Sequence, residues 1–460
     1  MAEVQEHRMG TMPIPKLLII MAIPAIISMF VQACYNVVDS IFVAQLSEAA
    51  LTSVSLAFPV QLLIVSLSVG LGVGMNSGIS RRLGEKKIDL AEQIAEHGFV
   101  LAIIISLIVA VLGLLLPYPF AGIFTNVPEI VNGCGIYLTI CCVFAFGVVL
   151  TQAGFATMQG SGDMIQPMIG QLIGAITNII LDPIFIFGYF GVPAFGVAGA
   201  AIATVAGQIL SMIYILAIVA FRKSNILHPS LRKFKFNPEL IRDIITVGVP
   251  SAVMQGIGSV MVTLFNLILA QYGTTAMAVF GVFFKVQSFV FMPVFGLCQG
   301  AMPIYGYNYG ARKPERFLEN AKVAIIICEC FMVVGLIMFQ FFPQQLLGMF
   351  NASDDMMAIG VRCFHIISWL FPFAGMAIPL TNAFQAVGKA YVSMISSFLR
   401  QIILLIPFAW LFSMIGGLDW VWASFVVADA INLLYILYEF YKLKRDQLDP
   451  MARENALQEG

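Results

Sequence analysis

Twelve mostly apolar stretches follow one another along the chain, separated by polar segments, near residues 14–43, 50–80, 91–117, 130–157, 164–188, 195–221, 239–269, 275–306, 317–343, 356–383, 390–415 and 419–441. A helix needs about 20 such residues to cross roughly 30 Å of hydrocarbon, so the pattern predicts twelve transmembrane helices. Several stretches are longer, which allows tilt or extension beyond the bilayer.

Lysine and arginine in the loops set the orientation. Arg81, Arg82, Lys86 and Lys87 follow span 2, and Arg222, Lys223, Arg232, Lys233 and Lys235 follow span 6. Arg312, Lys313 and Arg316 follow span 8, Lys389 follows span 10, and Lys442, Lys444 and Arg445 follow span 12. The odd-numbered loops carry Glu48, Glu129, Asp354 and Asp355, with Arg362 already inside span 10. Both termini are therefore expected in the cytoplasm, and an even number of spans requires them on one side.

The two halves match each other at a constant offset of 226. Pro24 matches Pro250, and Phe58, Val60 and Gln61 match Phe284, Val286 and Gln287. Gly70, Gly74 and Gly84 match Gly296, Gly300 and Gly310; later come Pro117/Pro343, Gly162/Gly388 and Gly191/Gly417. A register held without gaps from span 1 to span 12 reads as an internal duplication. Six spans per half bring the second half in from the same side as the first, so the repeats are parallel, a feature of secondary transporters. The expected organisation is an N-terminal lobe over 1–221, a cytoplasmic connection over 222–238, a C-terminal lobe over 239–445 and a cytoplasmic tail over 446–460.

Composition narrows the class. Of 460 residues 60% are hydrophobic and 11% charged; globular domains carry about 25% charged residues, so a soluble enzyme is excluded. A net charge of −1 offers no basic field for nucleic acid. Cys34, Cys141, Cys142, Cys298, Cys328, Cys330 and Cys363 lie in apolar stretches and read as buried packing, while Cys134 lies near an outer loop without an evident partner. The first apolar stretch is too long for the core of a cleavable signal peptide. The GLGVGMNSG segment at 70–78 lacks a preceding strand and a P-loop lysine, so no nucleotide site is expected; its glycines at spacing four suit close helix packing. The 24 Met and 38 Phe suit a cavity for varied apolar or cationic ligands, but membrane packing and lipid contact must account for most of them.

Ionisable groups inside spans are costly and need a reason. Asp39 in span 1 and Asp182 in span 5 fall at similar depth in the outer half. Gln32, Asn36 and Asp39 share a helix face at i, i+4, i+7; Asn178 and Asp182 are i, i+4; Thr204 on span 6 reaches comparable depth, with Gln208 a turn further. The offset partners are Phe265 for Asp39, Leu404 for Asn178, Phe408 for Asp182 and Ala430 for Thr204, so this polar set belongs to one half. It suits a proton or a sodium ion, the sodium ligands then being Asp39, Asn178 and Asp182, or alternatively a structural polar network. Lys285, Glu329, Arg400 and Asp429 are further intramembrane charges, suited to substrate contact, a second cation site or ion pairing. His365 reads as a packed histidine, and with His7, His97 and His228 scattered there is no metal constellation.

Several local patterns resemble the MATE (multidrug and toxic compound extrusion) transporters, over about 14–441. These are Pro24 with Asn36-x-x-Asp39-x-x-Phe42, Arg82-x-Gly84 with its echo at Tyr309–Gly310, Gln159-Gly160-x-Gly162-Asp163, and Asn178-x-x-x-Asp182-Pro183. The resemblance implies an all-α polytopic fold of twelve transmembrane helices, 6+6, in V-shaped lobes. It implies a multidrug antiporter in a bacterial plasma membrane, exporting organic cations and amphipathic compounds against inward H+ or Na+ by alternating access. No cofactor is implied, and the expected partners are substrate and membrane lipids, with the chain a monomer. The N-lobe cation site of one branch corresponds to Asp39, Asn178 and Asp182, joined by Thr204 on span 6; cation binding there is expected to reorganise span 1 about Pro24 as a hinge. A sister branch carries acids on spans 7 and 10; here span 7 has Gln255, and no acid lies between Arg362 and Gln385, so coupling is expected in the N-lobe. The alternative function is a flippase for lipid-linked saccharides, for which Lys285 and Arg400 would meet pyrophosphate. A channel would need a filter-like loop with symmetric polar lining and an enzyme a nucleophile or metal set, and the sequence shows neither.

Overall fold

The computed structural model describes residues 8–222, 224–230, 234–350 and 353–459; Lys223, Arg232, Lys233, His7 and the side chain of Glu48 lie outside the described set. Within it, the regular structure is helical. The first half comprises α1 (Arg8–Thr11), α2 (Ile14–Ala44), α3 (Glu48–Gly84), α4 (Ile88–Leu115), α5 (Pro117–Phe124), α6 (Pro128–Val143), α7 (Phe146–Gly160), α8 (Ile165–Phe187) and α9 (Val197–Phe221). The second comprises α10 (Pro238–Leu269), α11 (Thr274–Gly310), α12 (Pro314–Phe341), α13 (Pro343–Gly348), α14 (Asp354–Ile367), α15 (Leu370–Ala386), α16 (Ala390–Phe398), α17 (Leu405–Ile415), α18 (Leu418–Leu443) and a tail helix α19 (Asp449–Glu459).

Among the described residues ten helices are long and apolar enough to span a membrane, and counting each of the bent pairs α6–α7 (42°) and α14–α15 (49°) as one span gives twelve. The duplication holds at the level of single residues. Both limits of α11 and of α12 lie 226 residues after those of α3 and α4. The matched glycines occupy the left-handed region, Gly162 and Gly388 both at φ 86° and Gly191 and Gly417 at 82° and 72°. Only glycine adopts such angles readily, so these matches record a shared turn geometry. Of the three non-glycine residues with positive φ among the described residues, two are twins, Lys86 at φ 60° and Arg312 at 56°.

The chain forms two compact units, one of Met1–Ile26 with Val253–Gly460, the other of Ile27–Ala252. The division cuts α2 just beyond Pro24 and α10 just beyond Pro250, prolines that lie inside continuous helices. Each unit is bound internally by the glycine face anticipated from the sequence. In the second unit, Gly70 and Gly74 of α3 face the backbone of α10 at Gly248 and Ile244; in the first, Gly296 and Gly300 of α11 face α2 at Ile26 and Ala22. Removing side chains from both surfaces lets helices meet backbone to backbone, where dispersion and weak polar contacts replace a hydrophobic drive that lipid does not supply. Gly78 instead receives the Ile94 side chain.

Exposure corrects one expectation. Cys34 and Cys330 are exposed, whereas Cys134, Cys141, Cys142, Cys298, Cys328 and Cys363 are buried. A lipid-facing position is as apolar as a packed one, so hydropathy does not separate them.

Candidate functional site

All four residues expected at the cation site lie in the unit Ile27–Ala252. Asp39 is near the end of α2, Asp182 near the end of α8, and Thr204 near the start of α9. Helices α8 and α9 are held together closely on either side of this level. A Cβ on Gly207 would lie 2.6 Å from the Gly174 carbonyl oxygen, and one on Gly199 would strike the Phe185 carbonyl. These contacts fix how α8 presents Asn178 and Asp182 to α9.

Asp182 is fully buried and Asn178 nearly so, at 0% and 2% exposure. The Asn178 amide bridges the two helices. With its oxygen turned toward α9, Nδ2 donates to Asp182 Oδ2 at 3.2 Å and Oδ1 accepts from the Thr204 backbone N–H at 3.3 Å. The opposite orientation has Nδ2 reaching both Asp182 Oδ1 and Thr204 Oγ1 at 3.3 Å but leaves the amide oxygen facing acceptors, so the first is preferred. The carboxyls of Asp39 and Asp182 lie within hydrogen-bonding reach of each other, and Asp39 Oδ1 is buried without a partner among the described residues.

The auxiliary candidates are arranged differently. Gln32 and Asn36 are exposed on α2. Gln208 packs against Gly147 of α7, and its backbone oxygen accepts from Thr151 Oγ1 at 3.4 Å. Two residues absent from the expected set stand in their place. Tyr35, one turn before Asp39, and the buried Tyr137 bring phenols within electrostatic reach of it. Gln61 Nε2 donates to Tyr137 Oη at 2.9 Å and to Cys141 Sγ at 3.9 Å. The signal for this second layer was present in the spacing of Tyr137 and Cys141, one turn apart, and in Gln61 as a polar residue mid-span.

The remaining intramembrane charges lie in the other unit. Arg400 pairs with Asp429 at 3.1 Å, the ion pair anticipated as one option. Glu329 points a buried Oε1, without a partner among the described residues, at Gly375, where a Cβ would lie 2.8 Å from it. Lys285 and Gln255 are exposed, and none of the described ion pairs involves Lys285. His365 is packed, exchanging bonds with Gln340 at 3.1 and 2.8 Å. Among the described residues no group of three His, Cys, Asp or Glu is placed to hold a metal ion.

The MatE family model matches twice, over residues 24–184 and 250–411, once in each half. The chain belongs to the MatE family. It is a multi-pass membrane transporter and not an enzyme. Curated relatives include the multidrug export protein MepA of Staphylococcus aureus (strain MSSA476), 26% identical over 438 residues and 95% of each chain. An FAD transporter of Shewanella oneidensis is also 26% identical, over 454 residues, 95% of this chain and 96% of its own. Among solved structures, a MOP superfamily transporter from Pyrococcus furiosus superposes with a TM-score of 0.89 at 25% identity, over 96% of this chain and 98% of its own. That protein is described as having a binding pocket of reverse polarity, suggesting a different function. A multidrug resistance MATE transporter in an outward-facing conformation gives 0.89 at 25%, over 96% and 99%.

Proposed function

We propose that the chain is an efflux antiporter of the bacterial plasma membrane, exporting amphipathic organic cations in exchange for an inward-moving cation carried by Asp39 and Asp182. The observation that supports this is the pairing of two buried carboxyls within reach of one proton, in a protein whose family transports. Between carboxyls this close, a shared proton replaces repulsion by a hydrogen bond. With the Asn178 oxygen committed to the Thr204 N–H, the set offers a sodium ion few free ligands, which favours the proton.

The proposed cycle follows from differential binding. The doubly ionised pair suits a cationic drug, the protonated pair does not, and each ligand therefore displaces the other through the state it prefers. Pro24 is the proposed hinge, because it removes one helical hydrogen bond just before the point where α2 passes from one unit to the other.

Purified chain in sealed vesicles tests the reading with ethidium efflux, driven by a pH gradient with sodium equal on both sides, or the converse. Efflux driven by pH and lost in Asp39→Asn is the expected result. Full gradient-driven efflux by Asp39→Asn overturns the assignment, and efflux driven by sodium alone overturns the proton.

A further inference from the structure

The second half holds a polar cavity of its own. Gln287 is the twin of Gln61, the residue that bonds Tyr137 behind the carboxyl pair, and it lines a cavity of about 50 Å3 within the unit Val253–Gly460. Helices α16–α17 and α18 correspond to α8 and α9, which carry Asp182 and Thr204. Here they supply Arg400 and Asp429, where the first half has Gly174 and Ala203. Phe284, Gln401 and Phe425 complete the lining used below.

Three features mark it as more than a filled core. The backbone makes a π-helical turn over Leu399–Leu404, where Arg400 and Gln401 project; such turns are rare and frequent at functional sites. Gln287 Oε1 is buried with no hydrogen-bond partner among the described residues. Asp429 engages one guanidinium nitrogen, and the Arg400 side chain is still 33% exposed, leaving further N–H groups to donate.

We propose that this pocket binds a neutral planar head that presents an acceptor and a donor side by side: a primary carboxamide on an aromatic body. The carbonyl accepts from the free N–H groups of Arg400, and the amide N–H donates to Gln287 Oε1, satisfying the orphaned oxygen. Phe284 and Phe425 face the ring. Because Asp429 already balances Arg400, a carboxylate meets a compensated cation and an acceptor it cannot satisfy, and a cation meets the guanidinium. The cavity encloses the carboxamide alone, and the ring lies in its open mouth. This inference does not depend on the coupling role of Asp39 and Asp182, and binding is read without transport.

The test is equilibrium dialysis of radiolabelled benzamide against the full chain in detergent, with a detergent-only cell as blank and unlabelled benzoate and benzamidine as competitors. Saturable binding with a Kd of roughly 1 mM is expected for a ligand of this size. Gln287→Leu should weaken it about tenfold by removing one buried acceptor. That variant should lose no thermal stability, because the oxygen has no partner to lose, whereas a residue of purely structural importance would lower the unfolding midpoint and leave binding intact. Should Gln287→Leu fail to fold, the double variant Arg400→Gln with Asp429→Asn, which strands no charge, must show the loss instead. Unchanged benzamide binding in the folded variant, competition by benzoate equal to that by unlabelled benzamide, or no saturable binding overturns the proposal.

Discussion

Gly70 and Gly248 cross so closely that a Cβ on Gly70 would lie 2.5 Å from the Gly248 carbonyl oxygen. Neither atom is the end of a flexible side chain, so the helices themselves would have to part. Gly70→Ala is expected to cost about 1–3 kcal/mol, the usual penalty of overpacking. Gly281→Ala, where a Cβ meets nothing within 4 Å, should be neutral or slightly stabilising. Thermal unfolding midpoints in detergent compare the two, and equal midpoints would remove the crossing as a structural constraint.

At the carboxyl pair, stability and activity should move apart. Asp182→Asn replaces one of two adjacent carboxyls by a neutral isostere and relieves their repulsion. The unfolding midpoint is expected to hold or rise while pH-driven ethidium efflux falls to that of empty vesicles. A large loss of stability would mark a structural network instead.

The Asn178 bridge makes a prediction about a single hydroxyl. Because the amide oxygen takes the Thr204 backbone N–H, Thr204→Val should change stability by no more than about 0.5 kcal/mol. Asn178→Leu strips a donor from buried Asp182 and should cost about 1–3 kcal/mol. A penalty for Thr204→Val as large as that for Asn178→Leu would assign the amide the other way round.

The connection between the halves is strapped to α4 by three bonds to its own backbone. Glu92 Oε1 accepts from His228 N–H at 2.7 Å, Glu96 Oε1 from Ser230 N–H at 2.9 Å, and His97 Nε2 from Asn237 N–H at 2.8 Å. Phe234 packs against the His97 ring, with centroids 4.7 Å apart and the planes tilted by 49°. His97→Phe keeps an aromatic ring but strands the Asn237 N–H at a cost of about 1 kcal/mol, so tryptic cleavage within 222–238 should accelerate about fivefold. Unchanged cleavage would show that this bond does not hold the strap.

Glu85, outside the spans, pairs with Lys87 at 2.9 Å and Arg82 at 3.1 Å. Partial burial opposes ionisation, but these two cations outweigh it and hold the carboxyl below the usual glutamate range. A depressed folded value means stability present above about pH 4.3 and lost as pH falls through it. For so exposed a pair the gain is under about 1 kcal/mol. Glu85→Gln should therefore trail the wild type slightly at pH 7, with the gap closing in acid; a gap that widens in acid would contradict the pairing.

Much of the architecture was legible in the sequence, since spans announce themselves by length and hydropathy, and the offset of 226 recurs in the structure down to φ at Gly162 and Gly388. Asp39, Asn178, Asp182 and Thr204 were legible because polar groups at one depth stand out against apolar surroundings. What escaped was local or tertiary. The bend between Val143 and Phe146 rests on three-residue hydrogen bonds such as Ala145 N–H to the Cys142 carbonyl, with no proline at the break. Tyr137 and Gln61 joined the site only through the packing of α3 on α6, and Gln32 lost its place there because helical spacing sets a face but not what that face meets. The π-helical turn at Arg400 has no sequence signature at all.

The left-handed turns at Gly162 and Gly388, and the strained pair Lys86 and Arg312, supply the molecule with its own reference state. A substitution in one half can be measured against the same substitution 226 residues away, in the same chain, the same bilayer and the same preparation. Whatever both copies share is the cost of the scaffold. Whatever differs is what each half has since specialised to do.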